Sequence, residues 1–254
     1  MNPADAAARI QAILLDIEGT TTPIAFVVDV LFPYARTHLR RHLQEHAASS
    51  TYASLLDQLR EEHAADQRAR ESVPAWVDAS PAARRDSAAS YAEWLMDRDR
   101  KSTPLKTLQG KIWEEGYQRG ELVGEVFADV PPALSRWQAQ GAPVGIFSSG
   151  SVLAQQLLFR HSSAGDLTPF LRWYFDTTTG KKVGSDSYRR IAAAMNMRPQ
   201  GIVFVSDIVA ELDAARDAGL QTRLSIRPGN APQPTAQGHA VIRTFDEFDS
   251  RPIR

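Results

Sequence analysis

The stretch "LLDIEGTTTPI", Leu14–Ile24, decides the fold. The run Ile13-Leu14-Leu15 before its polar residues is short, apolar and opens on a β-branched side chain, which suits a buried strand. Two carboxylates, Asp16 and Glu18, follow directly, then Gly19 and the three threonines Thr20, Thr21 and Thr22. Carboxylates at the carboxyl end of a strand sit where open α/β sheets bind their ligands. The plainer alternative is a polar strand end with Asp and Gly in a turn.

The rest of the chain resolves into two textures. From about Asp29 to about Glu125 the sequence is rich in Ala, Arg, Glu, Gln and Leu and has helical spacing. Leu31, Tyr34, Ala35, Leu39 and Leu43 share one helix face, and Leu55, Leu56 and Leu59 share another. A third helix is expected over Ala82–Met96, with Ser80 as N-cap and Pro81 at its first position. A fourth runs from Pro104 to Arg119 and closes at Gly120. Beyond Glu125, short apolar runs at 143–149, 172–176, 201–207 and 222–229 read as strands. Helical stretches near 131–140, 151–160, 185–196 and 208–218 lie before or between them. The segment 227–240 reads as a turn-rich loop that leads to a short strand at 240–242. Alternation of this kind implies a largely parallel sheet covered on both faces. The expected architecture is therefore α/β, a Rossmann-like core over 1–27 and 126–254 with a helical insertion over 28–125.

Composition bounds the function. At 254 residues the chain can bury a real core, and its formal net charge of -1 comes with no sustained basic stripe for nucleic acid. No apolar run approaches the ~18 residues of a membrane span. The opening "MNPADAAARIQ" lacks a basic region followed by an apolar core, so no signal peptide is expected. The chain has no cysteine, which excludes disulfides, thiol nucleophiles and cysteine-ligated zinc. A soluble, cytoplasmic protein with no membrane or nucleic-acid partner is expected, and nothing requires more than a monomer.

Three strand ends carry the chemistry. The first supplies Asp16 and Glu18. The second supplies Ser148 and Ser149, then Gly150 and a helix starting near Ser151. Exposed backbone N–H groups and a helix amino end there favour an anion such as phosphate, although Ser149 or Ser151 could simply cap the helix. A later strand ends in Asp207, with Glu211 one turn into the next helix. Asp207 close to Asp16 would form a hard, oxygen-rich site suited to Mg²⁺. Between these turns lie Lys181 and Lys182, either of which could neutralise a phosphate. These parts suit phosphoryl transfer: Asp16 as nucleophile, Glu18 as acid and base, a metal and a lysine absorbing charge. No GxxxxGK[ST] loop and no GxGxxG is present, so nucleotide-binding alternatives lack their fingerprints.

These residues resemble the signature of the haloacid dehalogenase superfamily of phosphatases: Asp16-x-Glu18-Gly19-Thr20, Ser148 after an apolar strand, a later lysine, and Val205-Ser206-Asp207 ending another strand. The usual first motif is D-x-D, and this chain departs from it with Glu18. That departure, with "LQGKIW" (108–113), "SSGSVLAQQLLF" (148–159) and "SDSYRRIA" (185–192), is similar over nearly the whole chain to the acireductone synthase family of bifunctional enolase-phosphatases. The resemblance implies a Mg²⁺ enzyme that enolises a small phosphorylated diketone and then removes its phosphate. It implies Asp16 as nucleophile and metal ligand, and Glu18 as a further ligand through its backbone carbonyl with its side chain free for acid/base work. Asp207 completes the metal set, Ser148 and Ser149 bind substrate, and the motif lysine falls on Lys182. The helical insertion corresponds to the family's cap. The longer reach of Glu18 suits an enzyme that also moves a proton on carbon. Two competing readings are a capped phosphatase of another small metabolite and a receiver-like phosphoacceptor module.

Three further features are weighed against plainer roles. His38, His42 and His46 fall at i, i+4, i+8 on one helix, so their imidazoles line up in a row rather than around a tetrahedron. With Arg36, Arg40, Arg41 and Glu45 nearby they read as a solvated face. Trp76, Trp94, Trp113, Trp137 and Trp173 read as packing residues, with Trp113 in "LQGKIW" the one to watch. "RPGN" (227–230) reads as a plain turn.

Overall fold

Strand β1, Ala12–Leu15, is sealed from solvent along its whole length, as a strand covered on both faces must be. It lies at the centre of a six-stranded sheet in the computed structural model, which describes residues 10–100, 102–233 and 238–247. The amino-terminal segment 1–9 and positions 234–237 of the turn-rich loop lie outside the described residues. The other strands are β2 (Val144–Phe147), β3 (Leu171–Phe175), β4 (Ile202–Ser206), β5 (Gln221–Ser225) and β6 (Ala240–Ile242). Their order is β3-β2-β1-β4-β5-β6 and every pairing is parallel. The parallel α/β core expected from the strand–helix alternation is the architecture observed. The order reverses on either side of β1, so the crevice outside its carboxyl end is where such a sheet binds ligands.

The chain divides into two compact units, Asp29–Glu121 and the remainder. The helical unit is slightly shorter than the 28–125 read from composition. The reason is local: Gly124 exchanges backbone hydrogen bonds with His161 and Ser163, each at 2.8 Å, so this segment packs with the sheet unit.

In the helical unit the helices are α1 (Phe32–Glu45), α2 (Ser50–Arg68), α3 (Pro81–Asp97) and α4 (Thr103–Gln118). Ser80 caps α3 by accepting from the Ala83 N–H at 3.1 Å, and Ser102 caps α4 in the same way. Leu39 and Leu43 of α1 and Leu55 and Leu59 of α2 are buried, as their spacing requires. Trp113 is buried and donates Nε1–H to the Leu31 carbonyl at 2.8 Å, a packing role. The solvated histidine row fails at His42, which is only 2% exposed. Glu115, distant in sequence, approaches from α4 and covers it.

In the sheet unit the helices are α5 (Val130–Ala139), α6 (Val152–Arg160), α7 (Ser185–Ala194) and α8 (Val209–Asp217). Tyr188 and Ile191 of α7 and Leu212 of α8 bury against Ala12, Leu14 and Phe204. Because strand side chains alternate, Ile13 and Leu15 face the other side. Each fully buried leucine here is worth about 2–5 kcal/mol against truncation to alanine. That packing fixes the strand ends from which the polar groups project.

Candidate active site

The turn after β1 is tied by its own backbone. The amides of Thr20, Thr21 and Thr22 all donate to the Ile17 carbonyl at 2.9–3.1 Å, and Gly19 N–H returns to the Thr22 carbonyl at 2.8 Å. Thr21 Oγ1 donates to the Asp16 carbonyl at 3.1 Å. Gly19 takes φ +69°, a left-handed conformation that glycine adopts without strain. The glycine is also required by space, since a Cβ there would lie 2.5 Å from Asp207 Oδ2.

Asp16 stands directly after β1, Ser148 after β2 and Asp207 after β4, and all three are buried. Lys182 Nζ donates to Asp16 Oδ1 at 2.6 Å and pairs with Glu211 Oε2 at 2.7 Å. Lys181 beside it is exposed. The Tyr188 hydroxyl donates to the Lys182 carbonyl at 2.6 Å and anchors that loop to α7. Ser206 Oγ bonds Glu211 Oε2 at 2.9 Å and lies 3.4 Å from Asp16 Oδ2. Ser148 Oγ donates to Glu18 Oε2 at 3.3 Å and accepts from the Gly150 N–H at 3.1 Å. Ser149 follows, half-buried. Ser151 is the cap of α6, accepting from Ala154 N–H at 3.3 Å. Gln155 ties this turn down by donating to the carbonyls of Gly150 and Phe175, each at 2.9 Å.

Electrostatics sharpen the picture. Four carboxylates, those of Asp16, Glu18, Asp207 and Glu211, share the neighbourhood of Lys182. Burial works against the lysine's charge, but Asp16 and Glu211 outweigh it and hold the ammonium firmly protonated. Burial, then the Asp16 charge, push Asp207 up to about 7 and Glu211 likewise to about 7. The same two causes raise Glu18 above the ordinary glutamate range. A surplus of buried carboxylate oxygens strained toward protonation is the donor chemistry of a hard divalent cation.

Sequence reasoning missed two parts of this arrangement. Glu211, which the sequence places one turn beyond Asp207, pairs with the lysine, a partnership that spacing alone does not reveal. "RPGN" is more than a turn: Asn230 Nδ2 donates to the Gly19 carbonyl at 2.9 Å, and Arg227 Nε donates to the Thr20 carbonyl at 3.2 Å. Arg227 is itself buried and paired with Asp129 at 2.9 Å.

The family described as haloacid dehalogenase-like hydrolase matches residues 10–219. The enolase-phosphatase E1 of Synechococcus elongatus is 53% identical over 239 residues, which cover 94% of this chain and 98% of that protein. The chain belongs to the enolase-phosphatase E1 family. An E1 relative from Sorangium cellulosum is 45% identical over 243 residues, covering 96% of this chain and 99% of its own. Among solved structures, the UTR4 protein of Saccharomyces cerevisiae matches with a TM-score of 0.76 at 33% identity, over 93% of this chain and 99% of that one. Among the described residues, no helix is long and apolar enough to cross a membrane.

Proposed function

We propose that this enolase-phosphatase E1 family enzyme acts on 2,3-diketo-5-methylthiopentyl-1-phosphate in methionine salvage. It enolises the diketone and then releases phosphate to give 1,2-dihydroxy-3-keto-5-methylthiopentene. The observation that carries the phosphatase half is Asp16, buried at the end of the central strand and paired with Lys182 at 2.6 Å, with Glu18 two residues on.

In this reading an Asp16 carboxylate oxygen attacks phosphorus as the bond from phosphorus to the enol oxygen breaks. Glu18, whose raised affinity for a proton suits an acid, protonates the departing oxygen. The resulting Glu18 carboxylate then takes a proton from water, whose oxygen attacks phosphorus and frees Asp16 and inorganic phosphate. Ser148 positions Glu18, and Ser148 and Ser149 with the turn amides bind phosphoryl oxygens. Lys182 offsets phosphoryl charge, and Glu211 and Ser206 position it. Asp16, Asp207 and the Glu18 backbone carbonyl would hold Mg²⁺, which would supply Lewis-acid stabilisation of phosphoryl and diketone oxygens. We assign the helical unit the role of the family's cap. We read the enzyme as a cytoplasmic monomer.

The test follows phosphate release and enediol absorbance together on the phosphorylated diketone with Mg²⁺. Asp16→Asn should lose phosphate release by roughly 10³-fold or more. Turnover of generic phosphomonoesters without the diketone would overturn the substrate assignment. A long-lived phosphoprotein without turnover would favour a receiver-like module.

A further inference from the structure

In the helical unit, α1 and α4 bring together a donor set that the phosphatase reading does not use. His42 and His46 lie one turn apart on α1, the spacing with which paired helical histidines hold zinc. Glu115 of α4 faces both: Oε2 is 3.1 Å from His42 Nδ1, and Oε1 is 2.5 Å from His46 Nε2. The three ligand atoms all fall within 4.8 Å of one another. The third donor missing from a single helix comes from a second one.

The geometry points to a transition-metal site of the zinc type, with His42 Nδ1, His46 Nε2 and a Glu115 carboxylate oxygen as donors. Its strongest support is His42, whose side chain is 2% exposed. Its Nδ1 meets Glu115 Oε2 at 3.1 Å and no other group among the described residues. The opposite ring nitrogen, Nε2, rests against the Tyr52 hydroxyl. With the proton on Nε2 donated to that oxygen, Nδ1 presents its lone pair to the site, the outer-shell arrangement that orients metal-bound histidines. Burial favours the neutral imidazole at His42.

Tetrahedral donors about 2.0–2.1 Å from zinc stand roughly 3.3 Å from each other. The 3.1 Å contact to Oε2 is close to that spacing, while the 2.5 Å contact runs to Oε1; a small turn of the carboxylate, within a cluster whose donor atoms lie inside 4.8 Å, presents one oxygen to both imidazoles. His46 and Glu115 are 35% and 24% exposed, which leaves water access to a fourth position. Two imidazoles and one carboxylate suit zinc, cobalt or nickel better than the oxygen-preferring Mg²⁺. Two cations face the cluster. Arg119 Nη2 lies 3.3 Å from Glu115 Oε2 but also reaches Glu45 at 3.7 Å, where it can move. Lys111 sits over the Tyr52 ring at 5.7 Å. His46 is the C-cap residue of α1, so a bound ion would fasten the last turn of that helix to α4.

The test uses full-length, untagged protein in excess Mg²⁺, with Co²⁺ as visible probe and Zn²⁺ in calorimetry. One equivalent of Co²⁺ with tetrahedral d–d absorption is expected, and Asp207→Asn should retain it. His46→Ala and Glu115→Gln, which alter partly exposed side chains, should abolish saturable binding while keeping the wild-type far-ultraviolet circular dichroism. Tyr52→Phe should weaken binding by roughly tenfold or more. Unchanged Zn²⁺ affinity in both His46→Ala and Glu115→Gln, or loss of all binding in Asp207→Asn, would overturn the assignment.

Discussion

Replacing Gly19 with alanine tests how tightly the strand-end carboxylates are placed. The new methyl carbon would stand 2.5 Å from Asp207 Oδ2 and 2.8 Å from Asn230 Oδ1, where ordinary contact begins at 3.4 Å. Asp207 must therefore retreat by about 1 Å, a misplacement that costs on the order of 100-fold in rate. Backbone strain is separate and smaller: an L-residue in the left-handed region costs about 1–2 kcal/mol. In a chain of this size that lowers Tm by roughly 2–8 °C. Steady-state phosphate release across a Mg²⁺ series reads both consequences. The expected variant is folded, has kcat down about 100-fold, and needs more Mg²⁺ for half-maximal rate. Wild-type kcat with wild-type Mg²⁺ dependence would show that the Asp207 position does not matter and would sink the metal-site reasoning.

Other expectations follow from the same contacts. Glu18→Asp withdraws the carboxyl from Ser148 by one methylene, and on the order of a 100-fold loss is expected in phosphate release; two half-reactions at full rate would refute the role given to the longer side chain. Glu211→Gln addresses pH. Burial and then Asp16 raise Glu211 from 4.5 to about 7, so the folded state keeps a proton that the unfolded chain has released between those values. Stability therefore falls as pH rises through that interval. Urea midpoints along a pH series in EDTA should show a flatter slope in the variant, and an unaltered slope would contradict the assignment. Arg227→Met removes the cation beside the half-buried Asp129 carboxylate, which keeps only the Phe245 N–H at 2.6 Å, and should cost up to about 3 kcal/mol in chemical denaturation. Adding Asp129→Leu should recover most of that loss.

The core was legible because its signals are local. Ile13-Leu14-Leu15 is apolar and followed at once by acid, and Asp207 closes the same kind of run, so each strand announces its own end. Pro81 after Ser80 marks a helix start in the same way. What escaped depends on partners remote in sequence. Spacing alone leaves Lys181 and Lys182 equivalent, and it was the family resemblance that pointed to Lys182; the loop after β3 turns that one inward and leaves Lys181 exposed. Asn230 looks like a turn residue until Gly19, 211 positions earlier, lies beneath its amide. Helical periodicity puts His42 at the margin of the apolar stripe, and its burial is decided by Tyr52 and Glu115 from two other helices.

The contact between Tyr34 and Glu121 bears on how the chain assembles. Tyr34 lies in the first turn of α1, Glu121 is the last residue of the helical unit, and hydroxyl meets carboxylate at 2.6 Å. The unit's two ends are thereby stapled side by side. Strands β1 and β2 pair directly, yet Glu18 and Ser148 at their tips are 130 positions apart. Bringing such tips together as floppy chain carries an entropy cost that grows with the logarithm of the loop. With the helices already folded on their own nearby contacts, the loop still to be closed is roughly threefold shorter, which removes about 1 kcal/mol. Helices first and sheet centre second is thus the downhill order, in keeping with the speed of local contacts. The insertion is long in sequence but short as a tether, and so a central strand pair can be interrupted by a whole folded unit without coming undone.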